Sequence, residues 1–154
     1  MKTISLTRGM IALVDDEDFE RVNQFKWYAT TTPTASTWYA HRAVKGKLVL
    51  EPMPKFILQI KGMVDHVDGN GLNNQRSNLR PTNRSGNRAN SKKQSGTTSK
   101  YKGVSASRGK WVAHIFVFGK GYHLGNYETE EDAAISYNHA ALAYFGEFAR
   151  LNLV

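Results

Sequence analysis

Val64-Asp65-His66-Val67-Asp68-Gly69-Asn70-Gly71-Leu72-Asn73-Asn74-Gln75-Arg76-Ser77-Asn78-Leu79-Arg80 is the stretch that decides how the rest of the chain is read. An acid and an imidazole stand side by side, a turn rich in Gly and Asn follows, and Asn78 comes twelve residues after His66. Asn87 lies twenty-one residues after the same histidine. Asp and Asn offer hard oxygen ligands, suited to Mg²⁺ or Mn²⁺ rather than to a soft metal. A histidine beside such a ligand can take a proton from water while a cation neutralises charge on a phosphate. The same residues also suit a plain loop, because Asp-Gly and Asn-Gly steps form turns and Asn tolerates left-handed backbone. The alternating oxygens and distant Glu of an EF-hand are absent. Asn78, Asn87 and the basic run that follows weigh toward chemistry over a plain turn.

The 154 residues can hold one ordinary domain or two small ones with thin cores. A net charge of +8 points to a polyanionic partner. With no cysteine, disulfides and thiolate zinc sites are excluded. No apolar run approaches the roughly 18 residues needed to span a bilayer. Met1–Arg8 meets charge too soon for a secretory signal, so a cytoplasmic protein is expected, in the host cytoplasm if phage-encoded.

Residues 1 to about 60 read as β-rich. Ile4 and Leu6, then Ile11, Leu13 and Val14, suggest two short strands joined at Arg8-Gly9. The acids Asp15–Asp18 precede Phe19, Val22 and Phe25 and suit the first turn of a short helix, a capping role rather than catalysis. Lys26–Ala29 and Thr37–Val44 read as paired strands, with Lys45-Gly46-Lys47 turning into a third at Leu48-Val49-Leu50.

From Arg76 to Lys110 there are ten Lys or Arg and no Asp or Glu. Arg76, Arg80, Arg84 and Arg88 recur every four residues, one ridge on any helical stretch, though Pro81 limits how much of it can be helical. A helix from near Ser85 is expected, carrying Asn87 inward and Arg84 and Arg88 toward phosphates. Ser91–Ser99 holds no apolar residue and reads as a basic linker. Beyond it, Tyr101–Ser105, Trp111–Phe118 and Tyr122–Tyr127 read as a three-stranded meander. Thr129 and Asp132 form a capping pair, and Ala133, Ala134, Tyr137, Ala140, Ala141 and Tyr144 repeat at helical spacing.

Asp65-His66, the "DGNGLNN" turn and "NLR" together resemble the HNH (ββα-metal) nuclease motif of phage and intron-encoded homing endonucleases. That resemblance implies His66 as general base, Asp65 and Asn87 as metal ligands, and Asn78 as a brace for the metal-binding loop. Phage members usually show Met-His-Arg where this chain has Met53-Pro54-Lys55. From Ser99 onward "YKGV", "GKWVAHI", "HLGNY", "EEDAAISYNHAAL" and "FGEFARLN" resemble the AP2/ERF DNA-binding domain, whose sheet enters the major groove. Ser105, Ser107, His114, Phe116 and His123 depart from the plant pattern at reading positions.

The expectation is an α+β chain. Residues 1–90 form a β-rich HNH nuclease domain, 91–98 a linker, and 99–154 an AP2-like three-stranded sheet packed on one helix. The resemblance implies a metal-dependent (Mg²⁺ or Mn²⁺) homing-type endonuclease of double-stranded DNA. The single Asp65/His66/Asn87 constellation and the lack of a dimer seam in the sequence lead to the expectation of a monomer that nicks one strand. The expected DNA contacts are Arg76, Arg80, Arg84, Arg88, Lys92, Lys93, Lys102, Arg108, Lys110, Trp111 and His114. Two rivals are a non-catalytic DNA-binding regulator with a decayed HNH motif, and an RNA-binding protein that stacks bases on sheet aromatics.

Overall fold

The computed structural model describes residues 1–33, 37–46, 48–93 and 96–154. Lys47 in the expected turn and residues 94 and 95 of the expected linker lie outside them. The chain divides into two compact units, Met1–Asn83 and Arg84–Val154. The break therefore precedes the short helix expected to close the nuclease domain.

In the first unit, β1 (Lys2–Ser5) and β2 (Ile11–Val14) form an antiparallel hairpin with Ile4 opposite Ala12. Its turn needs left-handed backbone at both Arg8 (φ 62°) and Gly9 (φ 68°). Helix α1 (Asp16–Asn23) follows, then β3 (Tyr28–Thr30) and β4 (Tyr39–Arg42), paired antiparallel. The third strand is β5 (Glu51–Pro52) and not Leu48-Val49-Leu50. Those three apolar side chains are exposed, so no packed face holds them in a ladder.

Helix α2 (Met53–Leu58) explains how Pro54 is accommodated: it lies in the first turn, where a missing N–H removes no helical hydrogen bond. Met53 and Ile57 are fully buried beside Ile4, Val14, Val22 and Trp27, so the segment is scaffold. Arg21 donates to the carbonyls of Phe56 (3.1 Å) and Ile57 (3.0 Å), groups that the end of α2 leaves unpaired. The last elements, β6 (Met63–His66) and β7 (Leu79–Thr82), form an antiparallel hairpin enclosing the Gly/Asn turn.

Asp16, Glu17 and Asp18 occupy the first turn of α1 as expected, but Asp15 at its N-terminus makes no side-chain capping hydrogen bond and binds another segment instead. Asp15 accepts from Gln75 Nε2 (3.1 Å) and the Arg76 backbone N–H (2.7 Å). Asp18, 2% exposed, accepts from Arg76 Nε at 2.7 Å and from Arg21 at 2.6 Å. Burial opposes ionisation of Asp18, but the two guanidinium groups hold its carboxyl below the usual range. Helix α1 thus clamps the loop that carries the motif.

The second unit starts with α3 (Arg84–Asn90). Strands β8 (Val104–Ser107), β9 (Lys110–Val117) and β10 (Lys120–Tyr127) form an antiparallel sheet in the order β10-β9-β8. Helix α4 (Glu130–Phe145) packs on it, and the Thr129 hydroxyl accepts from the Asp132 backbone N–H at 3.1 Å, as the capping pair predicts. Ala133, Ala134 and Ala141 are buried against Ala113, Ile115 and Val117, small side chains that let the helix lie close. Tyr144 stays exposed. Among the described residues no helix is long and apolar enough to cross a membrane.

Candidate active site

In the β6–β7 hairpin, Asp65 stands opposite Arg80 and His66 opposite Leu79. Directly opposed side chains on one face meet. Arg80 accordingly holds Asp65 Oδ2 from Nη2 (2.8 Å) and Nε (3.1 Å), and both side chains are largely buried. Arg80, expected on DNA phosphates, therefore spends its charge on the carboxylate beside the histidine.

His66 is 6% exposed. Its Nε2 lies 3.3 Å from Asn74 Oδ1, and the Asn74 amide nitrogen donates to the Gly71 carbonyl at 3.4 Å. That second bond sets which way the amide faces. An amide oxygen only accepts, so His66 Nε2 carries the proton and the basic lone pair is on Nδ1. Burial holds the imidazole below its usual pKa, against the Asn74 hydrogen bond and the Asp68 and Asp65 charges, which act the other way. That shift favours the neutral form of the ring at pH 7.

The turn between the strands is tied internally. Asn78 Oδ1 accepts from the Asp68 backbone N–H (3.0 Å), while its amide nitrogen donates to Asp68 Oδ1 (2.9 Å) and Asn73 O (2.8 Å). Burial opposes the Asp68 charge, but donors from Asn70, Asn73 and Asn78 hold its carboxyl low. Strand β4 supports the turn from outside. A Cβ on Gly71 would lie 2.4 Å from the Trp38 carbonyl oxygen and 2.4 Å from the Tyr39 ring, so only glycine fits there. The Tyr39 ring sits against His66 with centroids 6.1 Å apart.

Asn74 and Tyr39 are the residues that sequence reasoning missed. Asn74 lay inside the quoted stretch but was read as turn. Hairpin register pairs Asp65 with Arg80, but Asn74 lies in the loop outside that ladder and Tyr39 on another strand, so no local signal marks either beside His66. Asn74→Leu keeps the branched outline of the side chain and removes the acceptor, freeing the ring to change tautomer. Any cleavage by the protein should then fall about 10²-fold with DNA affinity unchanged, the usual effect of misplacing a reacting group. Wild-type turnover in that variant would show that Asn74 does not position His66.

The remaining predicted residues are spread over both units. The four arginines spaced by four form no single ridge: Arg76 sits in a 3₁₀ turn (Arg76–Asn78), Arg80 on β7, and Arg84 and Arg88 on α3. A strand containing Pro81 interrupts them, as proline in a helix interior is not tolerated. Arg76 is committed to Asp18 and Glu17. In the second unit, Asn87 is exposed on α3, and the buried positions of that helix are Gly86, Ala89 and Asn90. Trp111 packs on the helix-facing side of the sheet, against the core. His114 lies on the opposite face with Phe116, their rings edge-on at 6.0 Å. Lys110 pairs with Glu128 at 2.6 Å, and Arg108 is exposed in a left-handed turn (φ 50°). Arg84, Arg88 and Lys92 are exposed, and Lys93 is half-buried. Lys102 is half-buried, its Nζ donating to backbone carbonyls at the end of α3.

Likeness over nearly the full length places the chain in the HNH endonuclease family. It is 31% identical, over 96% of its own length and 77% of the other's, to an uncharacterized HNH endonuclease of Acanthamoeba polyphaga mimivirus. A stretch of about a third of the chain is also similar to plant proteins. It is 47% identical over 58 residues to the ethylene-responsive transcription factor WRI1 of Arabidopsis thaliana, and 39% over 57 residues to APETALA2-like protein 2 of Oryza sativa subsp. japonica. The matched stretch covers 14% and 13% of those proteins. No family model and no solved structure matches the chain.

Proposed function

We propose that the protein is a metal-dependent DNA endonuclease of the homing type that nicks one strand of a duplex, with His66 as general base. The observation that carries this reading is the buried, neutral His66, whose Nε2 is engaged by Asn74 next to Asp65. His66 Nδ1 takes a proton from a water molecule, the water oxygen bonds to phosphorus, and the bond from phosphorus to the 3′ oxygen breaks. The departing oxygen takes up a proton from solvent, leaving a 3′ hydroxyl and a 5′ phosphate, and His66 returns its proton to solvent. Asn78 keeps the loop after His66 in place throughout.

Asp65 and Asn87 are the residues that the resemblance to HNH nucleases assigns to a divalent cation. One carboxylate and one amide oxygen suit a hard ion that keeps several waters and binds phosphate oxygens, the habit of Mg²⁺. Such an ion supplies charge neutralisation at the phosphate and at the departing oxygen. Arg80 has a second use in this scheme: it holds the Asp65 carboxylate in one orientation.

Arg84, Arg88, Lys92, Lys93, Arg108 and His114 are assigned to the duplex, the cations among them chiefly to phosphates. Each phosphate neutralised contributes about −0.9 to the slope of log K against log salt. Changing Lys92 and Lys93 together to Ala should flatten that slope, and an unchanged slope would place both off the DNA.

A plasmid assay with Mg²⁺ tests the whole reading. There is a single Asp65-His66 pair, and one such site faces one scissile phosphate at a time. Supercoiled plasmid carrying one target should relax to open circle before any linear form accumulates. Linear product arising as fast as nicked product at low enzyme would argue for a dimer. Tight DNA binding without any strand scission would favour the non-catalytic regulator.

A further inference from the structure

The second unit contains a cleft of about 230 Å³ whose walls include Arg88, Lys92, Lys93 and Lys102, with His114 and Phe116 on the sheet side. Among the described residues, no acidic side chain lines it. We propose that this cleft is a phosphate seat, taking one backbone phosphate of the nucleic acid held by the second unit. The proposal rests on the DNA-binding reading above only for the origin of that phosphate.

Charge is the first argument. Lys102 Nζ donates to the carbonyls of Ala89 (2.5 Å), Ser91 (2.8 Å) and Arg88 (3.4 Å), which satisfies its N–H groups without cancelling its charge. Burial, then the Arg150 and Arg88 charges, pull the Lys102 ammonium down to about 8. Like charges gathered in a concavity repel, and an anion between them adds an attraction to each cation that offsets this repulsion.

Geometry supplies the second argument. The Arg88 guanidinium lies over the Phe116 ring at 5.3 Å, and Phe116 is edge-on to His114. A stacked guanidinium is pre-organised, and its planar fork matches two phosphate oxygens at once. The volume is below the roughly 300–1,000 Å³ of pockets for whole small molecules, so it suits a phosphodiester group better than a complete cofactor.

The test is a titration of the full chain, without divalent metal, followed by amide NMR at constant ionic strength. Inorganic phosphate alone is the first probe. Saturable shifts are expected at Lys102, Gly103, Ser105 and His114, with affinity lowered roughly tenfold or more in Arg88→Gln, the size of a lost charged hydrogen bond. Arg88 is exposed, so the variant should fold, and matching spectra away from the cleft would verify it. No saturable shift at these amides, or an unchanged affinity in Arg88→Gln, would overturn the seat. A short duplex is the second probe, and it should move the same amides and compete with phosphate. A duplex that binds while leaving these amides unmoved would overturn the assignment to backbone phosphate. A duplex that does not bind at all would instead remove the DNA-binding reading, and the phosphate titration would still decide the seat.

Discussion

His66→Ala should abolish strand cleavage and leave DNA binding nearly intact. In the proposed mechanism the imidazole acts on water, while phosphate anchoring is assigned to other side chains. Loss of a general base costs roughly 10²–10⁴ in rate. The ring is also buried against Tyr39 and Asn74, so alanine leaves a void in the hairpin loop. A His66→Gln variant separates the two effects, since it refills most of the space without supplying a base at neutral pH. Both variants should be inactive, with binding curves superimposable on wild type. Cleavage near the wild-type rate in either would mean that another group deprotonates the water.

Gly103→Ala should unfold the second unit or shift its melting transition far downward, while the first unit keeps its own. Gly103 has φ +75°, and a Cβ there would fall 2.1 Å from the Tyr137 ring and 2.7 Å from the His114 carbonyl oxygen. Tyr137 is 4% exposed and packed on the sheet with Ile115, Val117 and Ala141, so its ring can move aside only by breaking that packing. Left-handed backbone costs alanine about 1–2 kcal/mol, and overpacking typically adds about 1–3 kcal/mol. Trp111, the one tryptophan of this unit, reports the transition by fluorescence. An unshifted Trp111 transition would contradict the packing described here. Loss of DNA affinity in the same variant would follow from the lost unit and would say nothing about individual contacts.

The chain's local signals were enough for most elements. Alternation of apolar residues with a Gly turn marks the β1–β2 hairpin and the three-stranded sheet, and Thr129 with Asp132 marks the start of α4. These features depend on residues close in sequence, where backbone preference and hydrogen-bond reach operate directly. The likeness to HNH nucleases was also legible in the spacing of Asp65, His66, Asn78 and Asn87. Apolar character alone misplaced the third strand at Leu48–Leu50, because a strand also needs a face to bury and those side chains have none.

Tertiary structure decided who pairs with whom. Arg76 and Arg80 belong to a basic run, yet one is bound to Asp18, 58 residues away, and the other to Asp65 across a hairpin. Lys102 closes on the end of α3, and α3 divides with the second unit rather than the first. The orientation of His66 depends on Asn74, a residue that composition and spacing present as turn. Sequence determines the elements because their signals are local. It leaves the partners of charged and polar side chains open, because these are chosen through space by strand register and by which groups are buried together.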